Sequence, residues 1–241
     1  MSDRSLIRSA AFSPADTGRA QSLLQVWLSP AFPVGSFAYS HGLETAAENG
    51  WLRGRDGLAS WLADIARLGG LRNDLILLAA AWRATHREPG PSLAEVAELA
   101  AALQPSAERH LEATQQGGSF LAQIEAAWPA PAPRFCDLAP DVAPVHAVAV
   151  GFAAARHAIP CGETVRAYAI AFIGNLASAA IRLGVVAQTD AQRVIASLLD
   201  ELHAVASAAE RSSLDALGSI AWRADIASLQ HETQHTRLFR S

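Results

Sequence analysis

The chain has no lysine; all nineteen of its basic residues are arginine. A phosphate-binding P-loop needs its lysine on the phosphates, and pyridoxal and Schiff-base enzymes need a lysine amine as nucleophile, so this chain alone can run none of those chemistries. Cysteine is nearly as scarce, with only Cys136 and Cys161. The two form no Cys-x-x-Cys and are too few to make a disulfide framework, which points to a reducing, cytoplasmic setting. Cys161 follows Pro160 at an expected helix start, where the helix dipole would lower a thiol pKa, although no base stands near it in sequence. Net charge is −4 and no long basic run occurs, so the clustered arginine and lysine of a nucleic-acid-binding protein is missing and no nucleic-acid partner is expected. No membrane partner is expected either. The most apolar run covers only residues 167–181, contains Asn175 and is bounded by Arg166 and Arg182, whereas a span needs about 20 apolar residues. The first twenty residues carry Arg4, Arg8, Asp16 and Arg19 and no apolar stretch of the signal-peptide kind.

Runs of β-branched residues are also rare. Alanine, the best helix former, supplies much of the 51% apolar content, so the expected class is all-α, a single compact domain of about ten helices. Helical patterns fall at about 21–29, 36–49, 56–70, 72–87, 92–103, 105–127, 145–158, 162–184, 188–207 and 209–218. Asp56 and Asn73 are candidate caps, and Pro89-Gly90-Pro91 marks a turn before a helix starting near Ser92. Residues 128–144 hold five prolines and read as an irregular connection between two helical halves. The pattern at 162–184 is apolar nearly all round and rich in small residues, the mark of a central helix packed on every side. Residues 1–20 read as a frayed segment, 21–227 as the helical domain and 228–241 as a docking tail that ends in Arg237, Leu238, Phe239 and Arg240.

Two segments could carry function. In the first, Pro30, Pro33 and Gly35 stop one helix and bend the chain, and Ser36 is placed to cap a second helix on which Phe37, His41 and Glu44 share a stripe beside Tyr39 and Leu43. An aromatic-polar face beside a rigid elbow suits partner binding; the same residues also fit a capped helix with a buried Phe. In the second, His231-Glu232-Thr233-Gln234-His235 is a literal H-E-x-x-H, which on a helix could ligate zinc with Glu232 as general base. No third ligand follows it and no long apolar helix precedes it, so a zinc hydrolase is the lesser alternative. The remaining histidines, His86, His110, His146, His157 and His203, have no ligand spacing; His146 and His157 could meet only through tertiary folding. No metal site, cofactor or catalytic residue is expected.

Four blocks carry a family resemblance. They are residues 24–44 with Ser29-Pro30-Ala31-Phe32-Pro33-Val34-Gly35-Ser36-Phe37, residues 112–121, the stretch from His146 through Gly162, Asn175 and Arg182 to Gln192, and residues 225–241 with His231-Glu232-Thr233-Gln234-His235-Thr236-Arg237-Leu238-Phe239-Arg240. Together they resemble the UreF family, the F-type accessory proteins of nickel urease maturation. The resemblance implies an all-α homodimer with no catalytic activity. Such a protein binds the D-type accessory protein (UreD, also called UreH) and recruits the nickel-carrying GTPase UreG to apo-urease, coordinating GTP hydrolysis with nickel insertion. Phe37 and Arg237 match family positions linked to recruiting the GTPase. The partner-binding set implied is Phe37, Tyr39, His41 and Glu44 in the elbow with His231, Glu232, Arg237, Phe239 and Arg240 in the tail. Phe37 and His235 stand where some relatives carry tyrosine, which would make the H-E-x-x-H a by-product and not a metal site.

Overall fold

The computed structural model describes residues 14–241, and the expected frayed segment falls mostly outside them. Helix α1 (Pro14–Trp27) begins seven residues before the pattern at 21–29, and Pro14 suits a first turn because the amide it lacks has no intrahelical acceptor there. A 3₁₀ turn (Ser36–Ala38) and the short α2 (Leu43–Glu48) follow, then α3 (Gly54–Leu68), α4 (Gly70–Thr85), α5 (Leu93–Ala102) and α6 (Ala107–Ala127). The proline-rich connection holds one short helix, α7 (Phe135–Leu138). Beyond it come α8 (His146–Arg156), α9 (Cys161–Arg182), α10 (Gln188–Arg211), a second 3₁₀ turn (Leu214–Ala216) and α11 (Trp222–His231). No strand occurs among the described residues, so the fold is all-α, as the composition indicates.

The helix start near Ser92 follows from a capping box. Ser92 Oγ accepts the Glu95 amide at 3.2 Å, and the Glu95 carboxylate accepts the Ser92 amide at 2.7 Å. The other two proposed caps are corrected. Asp56 lies inside the first turn of α3, and Asn73 lies inside α4 with its Oδ1 accepting the Gly218 amide at 3.1 Å. The tenth pattern, 209–218, splits between the end of α10 and the second 3₁₀ turn, while α11 is a helix the periodicity did not show.

The centre of the molecule is α4, not α9. From Asn73 to Ala81 every residue of α4 is buried, and from Ala147 to Ala155 so is every residue of α8. These two helices share the most extensive contact in the fold. Gly151 makes the closeness possible: a Cβ there would run into the Leu78 carbonyl oxygen of α4. In an open helix Gly→Ala stabilises by about 1 kcal/mol. Here Gly151→Ala is expected to cost about 1–3 kcal/mol, because one backbone must move off the other. Urea unfolding, read as a lower midpoint at unchanged slope, checks it.

Helix α9 is long and apolar enough to cross a membrane by length and composition alone, but half of it is buried in this fold, where it packs on α10 and α4. Its small residues let it lie close to them, and its other side is half-exposed.

Candidate functional site

The elbow does not continue as a helix. After α1, Pro30 and Pro33 carry the chain across Phe32, which is buried against Phe120 and Trp128, and Gly35 turns it with φ +78°. The 3₁₀ turn that follows is capped by Gly35 and receives no side-chain bond from Ser36. Tyr39 is extended, and His41 (φ 55°) and Gly42 (φ 76°) are both left-handed, so the helix expected over 36–49 is broken between Tyr39 and Gly42. Gly42 has a second reason to be glycine, since a Cβ there would lie 2.7 Å from the Ser228 amide nitrogen of α11.

The break separates Phe37, His41 and Glu44, which share no stripe. Phe37 is 67% exposed. The His41 ring turns inward, with Nε2 2.7 Å from Glu112 Oε1. Glu44 is buried, and its two carboxylate oxygens accept the Leu238 amide at 2.7 Å and the Phe239 amide at 2.9 Å. Tyr39 is also buried and donates to Gln115 Oε1 at 2.7 Å.

The tail is docked on this same chain. The Arg240 amide donates to the Ala38 carbonyl at 2.8 Å, and the Ser40 amide donates to the Ser241 carbonyl at 2.8 Å, so residues 38–40 and 240–241 are zipped together. Arg237 holds the turn before them, donating to the Gln234 and Glu232 carbonyls and, from Nη1, to Glu108 Oε1 at 2.5 Å. Glu232 Oε1 accepts the Ala107 amide at 2.7 Å, placing a carboxylate at the positive end of α6. Phe239 is buried, and Arg240 and Leu238 are exposed.

Helix α11 ends at His231, so His231 and His235 do not share a helix face. The His231 ring is buried between two carboxylates, with Nδ1 2.6 Å from Glu108 and Nε2 3.2 Å from Glu44, while His235 is exposed. Among the described residues no group of three or more metal-ligating side chains converges. The helical geometry on which the zinc reading depended is absent. His146 and His157 do not meet either; His146 packs on Phe120 and Tyr168, and His157 on Trp27.

Beneath the elbow lies a cavity of about 350 Å³ with aromatic walls, Trp27, Phe37, Tyr168 and Phe172, and a floor of His41, Asp74, Arg109, Glu112 and His146. Burial alone would raise the Glu112 pKa. The Arg109 guanidinium and then His41 outweigh it, and with hydrogen bonds from His41 and Ser241 they hold that carboxyl well below the usual range. Asp74 lacks such a set of donors. Burial pushes its carboxyl up to about 6, with the Tyr168 hydroxyl donating to it at 3.3 Å. Burial lowers both histidines, His41 with help from the Arg109 charge, and His146 down to about 4. Cys161 proves to be a buried thiol pushed up to about 12 by burial and then Glu210, opposite to the shift expected of a helix start. Desolvation outweighs the dipole at that position.

The UreF family model matches residues 52–199. The urease accessory protein UreF of Methylobacterium radiotolerans is 48% identical over 220 residues, covering 90% of this chain and 95% of the relative. That of Azorhizobium caulinodans is 47% identical over 231 residues, 94% of this chain and 99% of the relative. The chain belongs to the UreF family. It is therefore a urease accessory protein, as the four blocks suggest.

Two features of this UreF-family site were not singled out from sequence. The first is the charge cluster of Asp74, Arg109 and Glu112; the i, i+3 spacing of Arg109 and Glu112 is common on surfaces and gave no sign of burial. The second is Arg182, which lies between elbow and tail with its guanidinium 3.7 Å from the Phe37 ring centroid and 4.3 Å from that of Phe239. Arg182 stands in the third of the four blocks, where its spacing carries no sign of either contact.

Proposed function

We propose that this chain is a non-enzymatic helical adaptor that works as a cytoplasmic homodimer. It bridges the UreD/UreH-type accessory protein and the UreG-type GTPase, so that GTP hydrolysis is coordinated with nickel insertion into apo-urease. The observation that carries this reading is the joining of elbow and tail. Segments about 200 residues apart in sequence are paired backbone to backbone, and together they present Phe37, Leu238 and Arg240 to solvent beside Arg237, whose guanidinium is bonded within the tail turn and to Glu108. Exposed aromatics and arginines on a rigid backbone are the residue types that dominate protein–protein binding energy. Membership of the family supplies the urease context, and the resemblance supplies the named partners.

The test is co-purification from cells that express this chain with the D-type protein, the GTPase and apo-urease. The parent chain is expected to bring down both partners. Phe37→Ala removes an exposed ring and is expected to weaken GTPase retention by about 2 kcal/mol, or some thirtyfold, while the D-type protein stays bound. Unchanged GTPase retention, or normal nickel content of urease in cells lacking the gene, sinks the adaptor reading. Any substrate turned over by the purified chain alone sinks the non-enzymatic part.

A further inference from the structure

Phe37 keeps an exposed ring on a three-residue 3₁₀ turn that is too short to fix its own conformation. Beside the tail pairing at Ala38, the side chains that hold the turn come from α9. Asn175 Nδ2 donates to the Ser36 carbonyl at 3.3 Å, and Arg182 Nη1, two turns further along the same helix face, donates to the Phe37 carbonyl at 2.6 Å. The guanidinium carbon then lies over both the Phe37 ring and the buried Phe239 ring. Arg182 thus touches both halves of the proposed docking surface and is anchored in neither. Its Nη2 is shut from solvent with no acceptor among the described residues, so the group sits where stacking and the Phe37 carbonyl require, at the expense of one donor.

We propose that Arg182 is the positioning residue of the elbow–tail surface. Its guanidinium makes the Phe37 turn and the Phe239 segment one rigid unit, and a partner reads Phe37 in the place Arg182 gives it. A planar cation that stacks on two rings and donates in its own plane is work for arginine; lysine keeps the charge but neither the stacking plane nor the directed donor. This inference rests on the docking reading above and adds to it a residue that acts through Phe37.

Two measurements test it on the full chain. In Arg182→Leu and in Arg182→Lys, amide exchange in residues 36–40 and 238–241 is expected to rise together by about tenfold, with α4 and α8 unchanged. GTPase binding in the assembly with the D-type protein is expected to weaken about tenfold in either variant, yet to fall no further when Arg182→Leu is added to Phe37→Ala. A merely structural arginine would add its loss to that of Phe37→Ala. Multiplying losses, exchange that rises in only one of the two segments, or a lysine variant that behaves as the parent would overturn the role of Arg182, while the loss in Phe37→Ala leaves the docking surface standing. If both segments loosen and Phe37→Ala still binds the GTPase at full strength, the docking surface and the role of Arg182 fall together.

Discussion

Arg109→Met is expected to lose about 3–5 kcal/mol of stability at neutral pH, the range for removing one partner of a buried ion pair. Arg109 is only 9% exposed and donates to Glu112, and its charge also reaches Asp74. Without it two carboxyls remain inside with only neutral donors, among them the His41 ring and the Ser241 and Tyr168 hydroxyls. The sign of the pH dependence follows from the shifts. In the parent, Glu112 is depressed, so its contribution is present above the ordinary carboxylate range and fades only as pH falls through it. Asp74 is raised to about 6 against 3.8 for the unfolded group, so its protonated form favours the fold fully below 3.8, and that contribution is lost as pH rises through about 6. Removing Arg109 takes the lowering influence from both carboxyls and moves both upward. The variant's deficit is therefore expected to narrow between pH 7 and pH 5, where those carboxyls can take up protons. His146, lowered to about 4 from 6.5, destabilises the fold as pH falls through that window. The Arg109 charge adds to the burial that lowers His146 and His41, so its loss lets both rings take up protons more readily in the variant and narrows the deficit in the same direction. Urea midpoints of both proteins at the two pH values decide the matter; a deficit that does not change with pH would mean that Arg109 contributes packing and not charge.

The long helices were legible because one periodicity governs each of them. In α3, Leu58, Trp61, Leu62 and Ile65 recur at helical spacing and are buried, and Ser92 with Glu95 announces the start of α5. The elbow was misread because its local signal is helical: Phe37, His41 and Glu44 fit a helix stripe, and alanine and leucine around them favour one. Tertiary demands override that preference. His41 reaches Glu112 on α6, Glu44 reaches the tail and Gly42 lies against the α11 backbone, and the chain makes these contacts with a break at two left-handed residues. Helix α11 was hidden for the opposite reason. Its outward positions Trp222, Ile226 and Leu229 are apolar and 67%, 44% and 50% exposed, while its buried ones include Ser228 and His231, so the usual inside-outside contrast is inverted. Arg182 and Glu112 were invisible as site residues because their roles lie in partners 145 and 129 positions away in sequence, Phe37 and Ser241.

Glu44→Ala is expected to release the tail and, on the adaptor reading, to lose the GTPase with it. Glu44 is 8% exposed, so it meets a partner protein at most marginally; what it does hold is the Leu238 amide, the Phe239 amide and one edge of the His231 ring. Hydrogen bonds to a charged acceptor contribute about 1.5–3 kcal/mol each, and alanine removes the acceptor while leaving both amides to find water. The tail gains that water only by lifting off, which also exposes Phe239 and breaks the pairing of Arg240 with Ala38. Amide exchange over residues 237–241 is therefore expected to accelerate by about a hundredfold, with the α4–α8 core unaffected, since a local opening does not unfold the centre. Glu44→Gln keeps one neutral acceptor and is expected to fall between the two. Co-purification then separates cause from consequence. If Glu44→Ala lost the GTPase while residues 237–241 stayed as protected as in the parent, Glu44 would be acting on the partner itself, and the idea that the tail must be seated for docking would be wrong. If the tail loosened and the GTPase stayed, the surface that binds it would lie elsewhere on the molecule. Loss of both together, graded through Glu44→Gln, is the outcome that a buried carboxylate holding down a binding segment requires.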